Sequence, residues 1–209
     1  MTDAAPSSDP TPLDAPPYEP RDPARLTVLS GPTAVGKGTI MAEMRRRAPD
    51  LLISVSATTR EPRPGEIDGV HYYFLTPAQF DDLVATGRML EWAVVHGRNR
   101  YGTPREPVER ELAAGRPVFL ELDLQGARQV RRAMPGANFV FLAPPSWDEL
   151  VRRLTGRGTE GPAERERRLD TARDELAAVA EFDHVIVNDE VGRATDELLS
   201  LMGVTERVD

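Results

Sequence analysis

The chemistry in this chain is concentrated in Gly31, Pro32, Thr33, Ala34, Val35, Gly36, Lys37, Gly38 and Thr39. This run follows the apolar Leu26-Thr27-Val28-Leu29 and precedes Ile40-Met41-Ala42-Glu43-Met44. Strand, glycine-rich turn, lysine and helix form the layout of a phosphate-binding loop. Small residues let successive backbone N–H groups turn inward around an anion. The following helix adds free donors and the positive end of its dipole. Of the 26 basic residues, Lys37 is the only lysine. A compact ammonium among phosphates is not interchangeable with a guanidinium, so this exception to a chain-wide arginine bias points to use. Gly38 departs from the common pattern, in which Ser or Thr follows the lysine and offers Mg²⁺ a hydroxyl. With Thr39 one place later, the expectation is Mg²⁺ held mainly by phosphates and waters rather than by protein ligands.

A second cluster surrounds Arg60 and Arg63. Pro62 and Pro64 stiffen the backbone between Ser56 and Glu66 into an extended course. Two guanidinium groups can then face one phosphate with bidentate geometry. Tyr72 and Tyr101 add hydroxyl donors nearby. Two solvated arginines are the plain alternative. Glu91 sits inside the apolar run Leu90-Glu91-Trp92-Ala93-Val94-Val95. A carboxylate there can accept from two adjacent donors; alternation equally permits a water-facing strand acid.

These groups need a scaffold. Apolar runs at 26–29, 51–55, 117–122, 138–142 and 184–187 predict strands, separated by helical stretches. Strands that alternate with helices predict an α/β fold, a parallel sheet covered by helices on both faces, with ligands at the strand C-terminal ends. Residues 56–103 interrupt that alternation. Strands are predicted at 70–75 and 90–95, a helix opens at Thr76 with Pro77 and Gln79 as a capping box, and 97–103 is predicted as a loop. A helix is predicted from Arg105 to Ala114 and another from Asp123 to Ala133. Ser146 and Glu149 predict a second capping box. A hinge-like break at 156–162 precedes a long helix with Leu169, Ala172, Leu176 and Val179 on one face.

Composition limits the function classes. With 40% apolar and 29% charged residues, the chain is ordinary for a globular protein. It has no cysteine, which excludes disulfides, thiolate metal sites and cysteine nucleophiles. The three histidines show no metal-ligand spacing. A net charge of −8 disfavours nucleic acid as a partner, no apolar run suits a membrane span, and no leader pattern is visible; the expectation is a cytoplasmic protein. Residues 1–24 carry seven prolines and half of the net charge and are predicted to be a disordered tail. Deleting residues 2–24 should leave activity and melting temperature nearly unchanged; a large drop in melting temperature would show that the tail docks on the domain.

Read together, Gly31–Thr39, Ser54-Val-Ser-Ala-Thr-Thr-Arg60-Glu-Pro-Arg63-Pro-Gly-Glu66, Glu91-Trp92, Tyr101-Gly102-Thr103, Asp123-Leu-Gln-Gly126, Arg157-Gly-Thr159 and Val185-Ile-Val-Asn188-Asp189 resemble the guanylate kinases. The resemblance spans residues 25 to about 203. It implies a P-loop kinase core (25–55 and 104–203), an inserted GMP-binding lobe of mixed β plus helix (56–103) and a mobile lid (156–168). It implies ATP and GMP as substrates, with dGMP as a candidate acceptor, and Mg²⁺ accompanying ATP; a monomer or a homo-oligomer is equally compatible. By the same resemblance Gly31–Thr39 bind ATP; Lys37, Arg157 and Arg168 are catalytic, with Arg153 a further lid candidate. Arg60, Arg63, Tyr72 and Tyr101 hold the GMP phosphate. Glu91, Ser56 and Thr103 read guanine, and Glu121 and Asp123 make nucleotide or Mg²⁺-water contacts. Two rival readings are a related P-loop kinase for another acceptor, such as a ribose bisphosphate kinase, and a non-catalytic guanylate-kinase-like binding module. Glu91, Ser56 and Thr103 argue against the first, Lys37 and the lid arginines against the second.

Overall fold

The computed structural model describes residues 26–95, 98–156 and 162–204. The tail and Arg157 therefore lie outside the described residues. Five strands form a parallel sheet: β1 (Leu26–Ser30), β2 (Leu52–Ile53), β7 (Val118–Glu121), β8 (Asn138–Ala143) and β9 (His184–Val187), in the order β2-β7-β1-β8-β9. The apolar residues alternate between its two faces, as the pleat requires. Leu29, Phe119, Val140 and Leu142 pack with Ile40 and Met44 of α1 (Lys37–Arg47), Leu150 of α5 (Trp147–Thr155), Ala172 of α6 (Pro162–Ala177) and Leu198 and Leu199 of α7 (Val191–Leu201). Leu26, Val28, Val118, Leu120 and Phe139 pack with Val108 of α3 (Arg105–Ala113) and Ala127 and Val130 of α4 (Leu124–Ala133). Both faces are dry, which is why these strands read as nearly continuous apolar runs. Among the described residues no helix is long and apolar enough to cross a membrane.

The inserted lobe has its own sheet, β4 (Tyr73–Phe74), β3 (Ala57–Thr58), β6 (Asn99–Pro104) and β5 (Met89–Val95), in that order. β3 runs parallel to β4 and antiparallel to β6, and β6 is antiparallel to β5. Phe80 of α2 (Pro77–Ala85) is fully buried among Ala57 and Met89. The helix starts as its sequence predicts: Thr76 Oγ1 accepts from the Gln79 N–H at 3.3 Å and Gln79 Oε1 accepts from the Thr76 N–H at 2.8 Å. The lobe is fastened to the core at β5, where Leu90 joins the α3/α4 cluster.

Several expectations are corrected. Residues 99–104 are a strand, not a loop. At Gly102 a Cβ would stand 2.6 Å from Glu91 O and 2.9 Å from Trp92 Cβ. The glycine marks a close approach between paired strands, not a turn. The strands at 51–55 and 70–75 shrink to Leu52–Ile53 and Tyr73–Phe74, while β3 arises inside the polar stretch. The long helix ends at Ala177 and Val179 falls in a 3₁₀ turn. At α5 only half the capping box forms. Ser146 Oγ accepts from Glu149 N–H, but the Glu149 carboxylate turns to Arg152 and Arg153.

Candidate active site

The loop between β1 and α1 is fixed by close packing from beneath. A Cβ on Gly31 would collide with the carbonyl oxygen of Leu142, and one on Gly36 with the Asn188 amide. Gly36 takes φ 106°, and Ala34 takes φ 64°, an uncommon left-handed value for a side-chain-bearing residue. Such left-handed residues help turn backbone N–H groups inward as a nest. Asn188, at the end of β9, donates from Nδ2 to Val35 O at 2.8 Å. Arg153 donates to Val35 O at 3.2 Å and to Asn188 O at 3.1 Å, with its Nε held by Glu149 at 2.7 Å. The structure thus places Arg153 as a brace for the loop. No acidic residue and no side-chain cap closes the first turn of α1, and three arginines sit in its last turn. The dipole end is open to an anion. The Lys37 ammonium donates to Gly31 O at 2.5 Å and Pro32 O at 3.3 Å, carbonyls of the loop itself.

At the far side, in the lobe, Arg60 makes a two-pronged ion pair with Glu66, at 3.0 and 2.8 Å. It also lies over the Tyr72 ring, 5.4 Å from its centre, and Tyr72 meets Tyr101 edge to face at 5.9 Å. Arg60, Tyr72 and Tyr101 therefore form one cluster. Arg63 is joined to it through its backbone, donating N–H to Glu66 at 2.6 Å. These bonds, Arg60 first, hold the Glu66 carboxyl down at about 2. Glu66 organises both arginine positions. It sits six residues after Arg60, across a proline-glycine turn, and its spacing alone gave no sign of that role.

Glu91, on β5, is 7% exposed. Thr103 Oγ1, 2% exposed, donates to its Oε1 at 2.7 Å. Burial pushes the carboxyl up to about 7; the Thr103 hydroxyl opposes this and the charge of Asp123 adds to it. Ser56 directly precedes β3 and its Ala57–Gly102 pair with β6, and Glu91 faces Thr103 across the neighbouring strands β5 and β6. The other carboxylate oxygen faces Gly126 of α4. A Cβ there would sit 3.1 Å from Glu91 Oε2, so the missing side chain keeps that oxygen clear. Asp123 caps α4 by accepting from Gly126 N–H at 2.7 Å. Gln129, two positions beyond the buried Ala127, bonds both backbone groups of Trp92, accepting from N–H at 3.2 Å and donating to O at 2.9 Å. A side-chain amide thereby takes the place of a neighbouring strand and holds β5 beside Glu91. Glu121 ends β7 opposite Leu29 of β1, at the loop end of the sheet.

Arg168 of α6 donates to Thr33 Oγ1 at 3.2 Å, which brings it to the rim of the loop. Glu175, also on α6, accepts from Thr33 N–H at 3.1 Å. Burial raises its carboxyl above the ordinary range, against the pull of Thr33 N–H and Lys37. Sequence reasoning passed over Glu175, Gln129 and the bracing role of Asn188.

The arrangement combines a glycine-rich loop with one lysine at the C-terminal end of β1, an arginine–tyrosine cluster in the lobe and a buried carboxyl on β5. The guanylate kinase family model matches residues 23–204. The guanylate kinase of Thermobifida fusca is 65% identical over 180 residues, covering 86% of this chain and 91% of that protein. That of Streptomyces coelicolor is 59% identical over 194 residues, covering 93% and 98%. A crystal structure of guanylate kinase from Anaplasma phagocytophilum is 30% identical and superposes with a TM-score of 0.65, covering 86% of this chain and 84% of that one. With the match running through loop, lobe and α6 alike, the chain belongs to the guanylate kinase family.

Proposed function

We propose that this chain transfers the γ-phosphoryl group of ATP to GMP, giving ADP and GDP, within purine nucleotide metabolism in the cytoplasm. The observation that carries the acceptor's identity is Glu91, a buried carboxylate with one oxygen on Thr103 and the other facing the glycine face of α4. Guanine offers N1–H and N2 donors to such a group; adenine offers an acceptor at N1 and no 2-amino group. A site built around donors rejects an analogue that lacks them, because its acceptor is left unpaired.

The loop would hold the ATP phosphates on its N–H groups, with Lys37 moving from the Gly31 and Pro32 carbonyls onto the phosphate oxygens. Arg60, Arg63, Tyr72 and Tyr101 would hold the GMP phosphate in line with the γ-phosphoryl group. Arg168, already at the loop rim, and Arg157 would neutralise the charge that spreads over the phosphoryl oxygens during transfer. No protein base is required. The acceptor phosphate has a second pKa of about 6 and is largely dianionic at neutral pH. Catalysis is positioning plus charge neutralisation.

Mg²⁺ would come with ATP and supply charge neutralisation between its phosphates. Gly38 offers it no hydroxyl, and a side chain there would meet open space, so packing does not demand the glycine. Among the described residues no group of three His, Cys, Asp or Glu could hold a metal ion. Such an ion would be carried on phosphates and waters, with Glu121 and Asp123 as outer partners.

ADP release should be measured with GMP, with AMP, with UMP and with no acceptor. Turnover with GMP alone is expected; equal rates with AMP would remove the role given to Glu91. Arg60→Ala should reduce kcat/KM for every monophosphate by at least about tenfold, the scale of one lost charge-assisted pair, and leave the order of base preference intact. An altered order would place Arg60 at the base.

A further inference from the structure

Thr33, in the phosphate loop, is met by helix α6. Two side chains of that helix converge on it, Arg168 on its hydroxyl at 3.2 Å and Glu175 on its peptide N–H at 3.1 Å. They are seven residues apart, two turns, and so lie on one face of the helix. Between them Ala172 is fully buried against the core, which sets the height of that face. The arrangement is costly in one respect. A carboxylate stands beside a loop whose task is to receive phosphate, near enough to Lys37 and Asp123 to feel both charges. Packing alone does not call for a carboxylate there, since a leucine would fill the space without repelling an anion. The contact the carboxylate makes is with a loop N–H, at the residue whose hydroxyl receives Arg168.

We propose that Glu175 is a positioning residue for phosphoryl transfer: through the Thr33 peptide it docks helix α6 on the phosphate loop and so sets the reach of Arg168. The proposal rests on the kinase reading above. Glu175 touches no reacting atom. It acts by fixing the loop corner at Thr33 and the helix that carries Arg168 in one frame. What matters is the acceptor atom at the right reach; the negative charge is a by-product that repels ATP.

Two conservative variants separate reach from charge. Glu175→Asp keeps the charge and withdraws the carboxylate by one methylene. Glu175→Gln keeps the reach and an acceptor oxygen and removes the charge. In a steady-state assay with ATP and GMP, Glu175→Asp should lose at least about tenfold in kcat, because small misplacements of positioning groups are expensive in rate. Its KM for GMP should stay within about twofold, since the acceptor pocket lies on the other sheet. Glu175→Gln should keep kcat within about threefold and show a KM for ATP no higher than the parent. A second check is the cycle with Arg168→Ala. If Glu175 works by placing Arg168, adding Glu175→Asp to Arg168→Ala costs less than about threefold more, a clear failure of additivity. Full kcat in Glu175→Asp, an equal loss in Glu175→Gln, or additive losses in the cycle would each overturn the proposal. Melting temperatures of the variants expose a folding defect separately. A parent protein inactive on GMP would instead remove the kinase reading, so the two failures are distinguishable.

Discussion

Lys37→Met should fold normally and lose at least about a thousandfold in kcat. Removing one preorganised donor from an oxyanion site costs roughly 10²–10³ in rate, and Lys37 supplies both a donor and a full charge among phosphates in a sheltered loop. Stability should barely move. The ammonium bonds two loop carbonyls, contacts worth about 1 kcal/mol net, or roughly 2–4 °C in melting temperature for a chain of this size. The loop keeps its shape because Asn188 and Arg153 hold Val35 from below, and neither depends on Lys37. Single-turnover kinetics and thermal melting on the same preparation check both halves. Substantial retained turnover would remove the assignment of this loop as the ATP site.

The parts of this molecule that a reader of sequence could see are those whose signal is local. β1, β7 and β8 are buried on both faces, so their apolar runs stand out. The phosphate loop needs small residues at fixed offsets, and the α2 start needs Thr76, Pro77 and Gln79, so spacing reveals both. β6 was hidden because its stretch Asn99–Pro104 has no apolar alternation. Arg153 and Glu149 stand four apart on a helix and look like a surface ion pair; only the folded chain shows the other side of that guanidinium on Val35 and Asn188. Glu175 is more hidden still. It is one of several acids along α6, and its partner Thr33 lies 142 residues earlier. Gln129 is likewise a polar helix residue until β5 is laid against it. The candidate site was therefore legible where its residues form a motif along the chain and illegible where they meet each other only through the fold.

Glu91→Gln should lower kcat/KM for GMP by at least about tenfold at pH 8, the scale of 1.4 kcal/mol, with the KM for ATP little changed and selectivity over AMP reduced. The amide turns one acceptor into a donor facing the donors of guanine. The pH dependence is the sharper test. In the folded chain burial holds this carboxyl at about 7, so at pH 6 only about one molecule in ten has it ionised, and the protonated form presents a donor where guanine needs an acceptor. The GMP phosphate, with a second pKa of about 6, is then about half dianionic. Since kcat/KM follows the free enzyme and free substrate, the parent should lose about twentyfold between pH 8 and pH 6, whereas Glu91→Gln should lose only the roughly twofold belonging to the phosphate. Stability should move the other way. A folded-state carboxyl raised from 4.5 to about 7 binds its proton more tightly than the unfolded chain does, so this group destabilises the fold progressively as pH rises from about 4.5 to 7. At 1.36 kcal/mol per unit the penalty above pH 7 is on the order of 3 kcal/mol, and Glu91→Gln removes it. The variant should therefore melt higher than the parent at pH 8, and the difference should shrink as the pH is lowered towards 5. A variant that matched the parent on GMP with the same steep acid limb, and melted no higher at pH 8, would show that Glu91 neither reads the base nor carries its charge at a cost.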